Sequence, residues 1–154
     1  MRIAIASDHG GFEQKQMLVD YLAAELGHDV CDMGPDTGDP VDYPDYAVRV
    51  ARAVSSGSAD RGILVCGTGI GMALAADKVP GVRASSITSA GFAELFRRHN
   101  DGNVLCLSGR FVDPEDNREI VRTFLETEFE GGRHAKRVAK IMALDESAPT
   151  RSED

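Results

Sequence analysis

The chain has little cysteine, no long hydrophobic run and a deficit of positive charge, and each shortage removes a class of function. Its three cysteines, Cys31, Cys66 and Cys106, are odd in number and have neither CxxC nor zinc-type spacing, which argues against a disulfide framework or a structural metal. The opening run Met1-Arg2-Ile3-Ala4-Ile5-Ala6 is ended at once by Ser7-Asp8, far short of a secretion signal or a membrane span. A cytoplasmic location is therefore expected, with no membrane partner. Against 25 acidic residues stand only 17 basic ones, a formal charge of -8 that disfavours nucleic acid as a partner. An anionic small molecule stays compatible, because a few arginines reverse the potential inside a cleft.

What is present is a regular alternation. At 154 residues with 42% hydrophobic content, the chain suits one domain with a real core. Apolar, β-branched runs at Arg2 to Ala6, Asp29 to Cys31, Gly62 to Cys66, Val82 to Ile87 and Val104 to Leu107 read as five strands buried on both faces. Between and after them, Phe12 to Leu26, Tyr46 to Ser55, Met72 to Lys78, Ser89 to His99 and Pro114 to Glu128 have helical periodicity. The alternation predicts an α/β, three-layer Rossmann-like fold, a five-stranded parallel sheet flanked by helices. A further C-terminal helix is expected over His134 to Leu144, a candidate for packing on a partner subunit. Residues 1–144 should form a single domain, and the polar stretch 145–154 a disordered tail.

In such folds ligands bind beyond the carboxyl ends of the strands, so strand-end residues carry the functional argument. The first strand ends in Ser7-Asp8-His9-Gly10-Gly11, which either presents Asp8 and His9 to a ligand or lets Asp8 cap the next helix. The third ends in Cys66-Gly67-Thr68-Gly69-Ile70-Gly71. Three glycines across a strand-to-helix turn leave backbone N–H groups accessible at a helix start, a cradle for a small anion. A dinucleotide fingerprint would need glycine or alanine at Met72, and no Gly-Lys-Ser/Thr follows for a P-loop. Cys66 at the lip of this turn is either an activated thiol or an inert core residue. Inert core packing is the reading for Cys31 and Cys106.

Other candidates are weaker alone. Arg97-Arg98-His99-Asn100-Asp101-Gly102 suits a helix C-terminus, where basic residues complement the dipole and Asn or Gly takes the left-handed stop. Arg110 follows the fifth strand, and Arg133 and Arg137 lie one turn apart. They are surface ion-pairing groups or, together, a phosphate clamp. Tyr43, in Asp42-Tyr43-Pro44, lines a pocket or staples the helix entry.

Taken together, Ser7 to Gly11, Asp42 to Pro44, Cys66 to Gly71, Ala75 to Lys78, His99-Asn100 and Gly131 to His134 make the chain resemble the ribose-5-phosphate isomerase B family, which includes galactose-6-phosphate isomerase subunits. The resemblance runs over about residues 1 to 144. It implies an aldose-ketose isomerase without metal or organic cofactor, acting on a sugar phosphate, as a homodimer with shared active sites that can pair into a tetramer. It implies Cys66 as the base that moves a proton between C1 and C2, with Thr68 assisting. Gly67, Gly69, Ile70, Gly71 and Asn100 would stabilise the enediolate, and His99 would open the sugar ring. Asp8 would hold sugar hydroxyls, with Tyr43 lining the pocket and His9, Arg110, Arg133 and Arg137 around the phosphate. One branch of the family carries a glutamate base where this chain has Met72, which places the chain in the cysteine branch. Gly10 and Asp77 depart from the more frequent alanine and asparagine. Ribose 5-phosphate is the leading substrate; allose or galactose 6-phosphate, or a non-catalytic phosphosugar-binding role, are the alternatives.

Overall fold

In the computed structural model, which describes residues 1–146, the apolar runs form β1 (Arg2–Ser7), β2 (Asp29–Asp32), β3 (Arg61–Cys66), β4 (Ala84–Ser86) and β5 (Val104–Ser108). They join in one sheet in the order β2-β1-β3-β5-β4, and every pairing is parallel. Side chains alternate between faces, so each of the central strands β1, β3 and β5 feeds two cores. Ile3, Ile5, Ile63, Val65, Leu105 and Leu107 face one side, and Ala4, Ala6, Leu64, Cys66, Val104 and Cys106 the other.

Helices cover both faces. The first core is closed by Leu18 of α1 (Phe12–Asp20), Phe96 of α4 (Ala90–Asn100) and Ile120, Val121 and Phe124 of α5 (Pro114–Glu126). The second is closed by Ala47, Val50 and Ala51 of α2 (Tyr43–Ser55) and by Met72 and Ala76 of α3 (Ile70–Ala76). The three-layer architecture expected from the strand-helix alternation is thus present, with α6 (Arg133–Met142) added on α4.

Several expectations need correction. Burial on both faces holds for β1, β3 and β5, whereas β2 is largely exposed and β4 only half-buried, because each is an edge strand with a single neighbour. Cys31 lies on that exposed β2 and is not a core residue, while Cys106 is buried as expected. The helix expected over Phe12 to Leu26 is regular only to Asp20. It continues through Tyr21–Glu25 as a wider π turn, in which the Leu26 amide donates to the Tyr21 carbonyl. The left-handed residue that stops α4 is Asp101, at φ 47°, and neither Asn100 nor a glycine. Its carboxylate receives the buried Arg97 guanidinium at 2.9 Å and Arg83 at 3.3 Å, a local use for a carboxylate at that position.

Ala143–Asp145 forms a short 3-10 turn, and Asp145 accepts a bond from the Gly81 amide at 2.8 Å. The rest of the expected tail, 147–154, lies outside the described residues.

Candidate active site

At the carboxyl end of β1, the Asp8 carboxylate accepts the Gly11 amide at 3.1 Å and closes the 3-10 turn His9–Gly11. The capping role is therefore real, and Asp8 is also anchored through its own amide to the Val65 carbonyl at 3.2 Å. His9 projects next to it, exposed, with Nδ1 accepting the Val41 amide at 3.3 Å.

The glycine turn between β3 and α3 sits beside this loop. Cys66 is buried, and its Sγ accepts a hydrogen bond from the Gly69 amide at 3.1 Å. Gly69 has φ 80°, the left-handed conformation that lets the chain reverse from strand into helix within a few residues. Thr68 is exposed, its Oγ1 accepting the Ile70 amide at 3.2 Å, and Ile70 stands in solvent. Tyr43, at the start of α2, packs against Gly71: a β-carbon there would fall 2.7 Å from its ring. Arg110 spreads across the two neighbouring loops, with guanidinium nitrogens 3.4 Å and 3.3 Å from the positions β-carbons on Gly10 and Gly67 would take. Asp8, His9, Tyr43, Cys66 to Gly71 and Arg110 thus converge at one end of the sheet.

A hydrogen-bond network holds this cluster in place. Ser108 Oγ donates to the Gly67 carbonyl at 2.7 Å, the Gly109 amide to the Cys66 carbonyl at 2.8 Å, and Ser86 Oγ to the Thr68 carbonyl at 3.1 Å. Behind them, Asn117 Nδ2 donates to Gln14 Oε1 and, at 2.9 Å, to the Ser108 carbonyl. Gln14 Nε2 in turn donates to the carbonyls of Gly109 and Val112 at 3.1 and 3.0 Å. The sequence reading missed Gln14, Ser86, Ser108 and Asn117. Asn117 left a signal, as an amide three residues before Ile120 on the apolar face of a helix.

The remaining candidates lie at the opposite end of the sheet. Helix α4 runs back against the strands, so His99 and Asn100 stand just before Val104, which pairs in register with Gly62 near the start of β3. Cys66 is four residues further along that strand, about 13 Å away along its axis. Asn100 lines a cavity of about 420 Å³ with Asp77, Arg83 and Phe96, none of them from the glycine turn. The His99 ring stacks on His134 with centroids 4.3 Å apart and planes within 13°. Arg133 opens α6 next to this pair, and Arg137 follows one turn later, both exposed. A single chain therefore does not bring Arg110 together with Arg133 and Arg137.

Charge states differ between the ends. Burial, reinforced by nearby Asp77 and Cys66, pushes the Cys106 thiol well up, which keeps it protonated and inert. Burial, with the charges of His99, Arg133 and Arg137, lowers His134 below the usual imidazole range, opposed only by Glu130. Burial also raises the Asp77 carboxyl, partly offset by the hydrogen bond it accepts from the Ala84 amide. Among the described residues, His99, Glu130 and His134 are the one grouping of His, Cys, Asp or Glu with a ligand atom from each within 4.8 Å of the others. No helix among them is long and apolar enough to cross a membrane.

Known proteins share this architecture over nearly the whole chain. A family model described as ribose/galactose isomerase matches residues 3–141. Ribose-5-phosphate isomerase B of Escherichia coli is 43% identical over 145 residues, 94% of this chain and 97% of the relative. The solved structure of Clostridium thermocellum ribose-5-phosphate isomerase B superposes with a TM-score of 0.94 at 46% identity, covering 97% of this chain and 100% of that one. That of the Mycoplasma genitalium enzyme with bound ribulose-5-phosphate gives 0.91 at 45% identity, covering 96% and 97%. With a family match over most of its length and relatives this similar, the chain belongs to the ribose/galactose isomerase family.

Proposed function

We propose that this protein interconverts D-ribose 5-phosphate and D-ribulose 5-phosphate through a cis-enediol, at sites shared between two copies of the chain. The observation that carries the reading is the split of the candidate residues: a thiol beside a glycine turn at one end of the sheet, a histidine with two arginines at the other. A two-fold homodimer that sets each end of one copy against the other end of its partner would join them and make two such sites. The M. genitalium relative of the same fold is described with ribulose-5-phosphate bound, which favours a pentose phosphate.

The chemistry needs only proton relocation. The partner's His99, as acid/base, gives a proton to the ring oxygen and takes one back from the anomeric hydroxyl, and the sugar opens to the aldehyde. Cys66, as thiolate, removes the proton on C2; the electrons move onto the carbonyl oxygen, giving the enediolate. A proton then passes from the C2 hydroxyl to the C1 oxygen, and Cys66 returns its proton to C1 as the C2 oxygen becomes the carbonyl of the ketose. Backbone amides of the turn from Gly67 to Gly71, with the partner's Asn100, stabilise the oxyanion, the position at which fixed N–H donors act most strongly. Thr68 assists Cys66, Asp8 and Tyr43 hold the sugar, and His9 and Arg110 meet the partner's Arg133 and Arg137 around the phosphate. The reaction draws on no metal or organic cofactor. The working unit is the single domain 1–144, placed in the cytoplasm with its phosphorylated substrate, and dimers can pair into a tetramer.

A hexose phosphate is the second reading, because the family description names galactose as well as ribose. Both are tested by following ketose formation from a panel of pentose and hexose phosphates in the presence of chelator. The proposal expects ribose 5-phosphate to give the highest kcat/KM and Cys66→Ala to lose nearly all turnover. Undiminished turnover in Cys66→Ala would remove the thiol from the mechanism.

A further inference from the structure

The neighbourhood of His99 contains more than a ring-opening acid requires. Three segments meet there: the last turn of α4, the loop carrying Glu130, and the first turn of α6. They are tied by the Glu130 amide donating to the Arg98 carbonyl at 3.1 Å and the His134 amide donating to the Gly131 carbonyl at 3.0 Å. Glu130 uses one oxygen to hold Arg98 at 3.0 Å and turns the other toward His134 Nε2 at 3.9 Å, beyond hydrogen-bond range. That Nε2 is buried with no hydrogen-bond partner, on a residue only 5% exposed. A buried ring nitrogen without a partner is costly, and it calls for an occupant that accepts a lone pair or donates a proton.

From this geometry we propose that His99, Glu130 and His134 form a binding site for a borderline first-row divalent cation such as Zn²⁺ or Co²⁺, whose occupancy inhibits the enzyme. One ligand atom from each residue lies within 4.8 Å of the others. Two imidazoles and a carboxylate are a ligand set that zinc accepts with its fourth position open. Tetrahedral ligands at bonds of about 2.0 Å sit about 3.3 Å apart, so exposed Glu130 and half-buried His99 have roughly 1.5 Å to close, and His99 must also swing out of its stack on His134, because the nitrogen lone pairs lie in the ring planes. Imidazole nitrogen selects zinc or cobalt over magnesium, which prefers oxygen. Arg98, Arg133 and Arg137 oppose a bare cation and favour one that keeps an anion, hydroxide or the sugar phosphate, in its fourth position.

The cation is no part of the reaction: it would take the lone pair of His99 and so block ring opening. That consequence for turnover rests on the role proposed for His99; the binding itself does not.

The test titrates the chelator-stripped, full-length protein with Co²⁺ and reads the visible d–d absorption, whose intensity separates four-coordinate from octahedral cobalt. One intense site per chain is expected, displaced by Zn²⁺ and not by Mg²⁺. Glu130→Gln, which keeps the size of an exposed side chain, and His134→Gln should each weaken binding at least about tenfold. His28→Gln and Cys66→Ala should leave it unchanged. Absence of the intense band, equal binding in Glu130→Gln and wild type, or loss of binding in Cys66→Ala instead would overturn the site. Inhibition by Zn²⁺ that chelator reverses, weaker in Glu130→Gln, completes the proposal. Zinc bound at this site without inhibition would overturn its inhibitory half and also contradict the assignment of His99, while leaving the base role of Cys66 untouched.

Discussion

The Gly69 amide donates to Cys66 Sγ across 3.1 Å, so the proposed base and the proposed oxyanion cradle are two parts of one turn. The N–H directed at sulfur fixes the position of Sγ, while the left-handed backbone at Gly69 carries the chain on into α3.

Gly69→Ala should uncouple these parts. A β-carbon at this position would lie 2.9 Å from Ser86 Oγ and 3.1 Å from the Leu107 carbonyl, on a backbone with φ 80°. A non-glycine residue held there costs on the order of 1–3 kcal/mol. The urea midpoint should fall accordingly, and kcat should drop more than stability alone explains, because the turn relaxes away from sulfur. Unchanged kcat with lowered stability would separate the turn's geometry from catalysis.

Asn117 touches no proposed substrate contact, yet its amide bridges Gln14 and the Ser108 carbonyl behind the glycine turn. Asn117→Ala leaves two buried acceptors without their donor, at about 1–3 kcal/mol. A fall in kcat with little change in KM is expected, partly restored by Asn117→Gln if the longer amide reaches the same acceptors. Equal scaling of activity with the folded fraction would mark the network as purely structural.

The sheet, its helices and the loop carrying Cys66 were legible in the sequence because apolar period and glycine spacing are local properties. Edge burial was not: Asp29 to Cys31 reads like a central strand, and only its place beyond β1 exposes Cys31. The His99–His134 stack was hidden for a related reason. It joins segments separated by α5, and nothing in the spacing of the two rings along the chain records that α6 folds back on α4. The division of the candidate site between two ends of the sheet follows from the direction of α4. That direction could have been argued from a parallel topology, since a helix between parallel strands must end where the next strand begins.

His134 titrates below its ordinary value of 6.5 in the folded protein, because burial and the neighbouring cationic groups disfavour the imidazolium. The unfolded chain takes up this proton first as pH falls, so its contribution to stability is fully present above about pH 6.5 and lost progressively toward the lowered folded value. His28 is lowered as well, by burial and the N-terminal charge, and adds to the same slope. Urea midpoints at about pH 7.5 and about pH 5 should therefore differ less in His134→Gln than in the wild type. An equal acid shift in both would show that His134 gains its proton without cost.

The central claim is that Cys66 of one copy works with His99 of another, and subunit mixing tests it most directly. Cys66→Ala and His99→Asn, each inactive on ribose 5-phosphate when pure, are to be unfolded together and refolded as a mixture. Random pairing makes half the dimers mixed, and each mixed dimer regains one intact site, so about a quarter of wild-type activity should return. A mixture that exchanges subunits yet stays inactive would contradict the shared site.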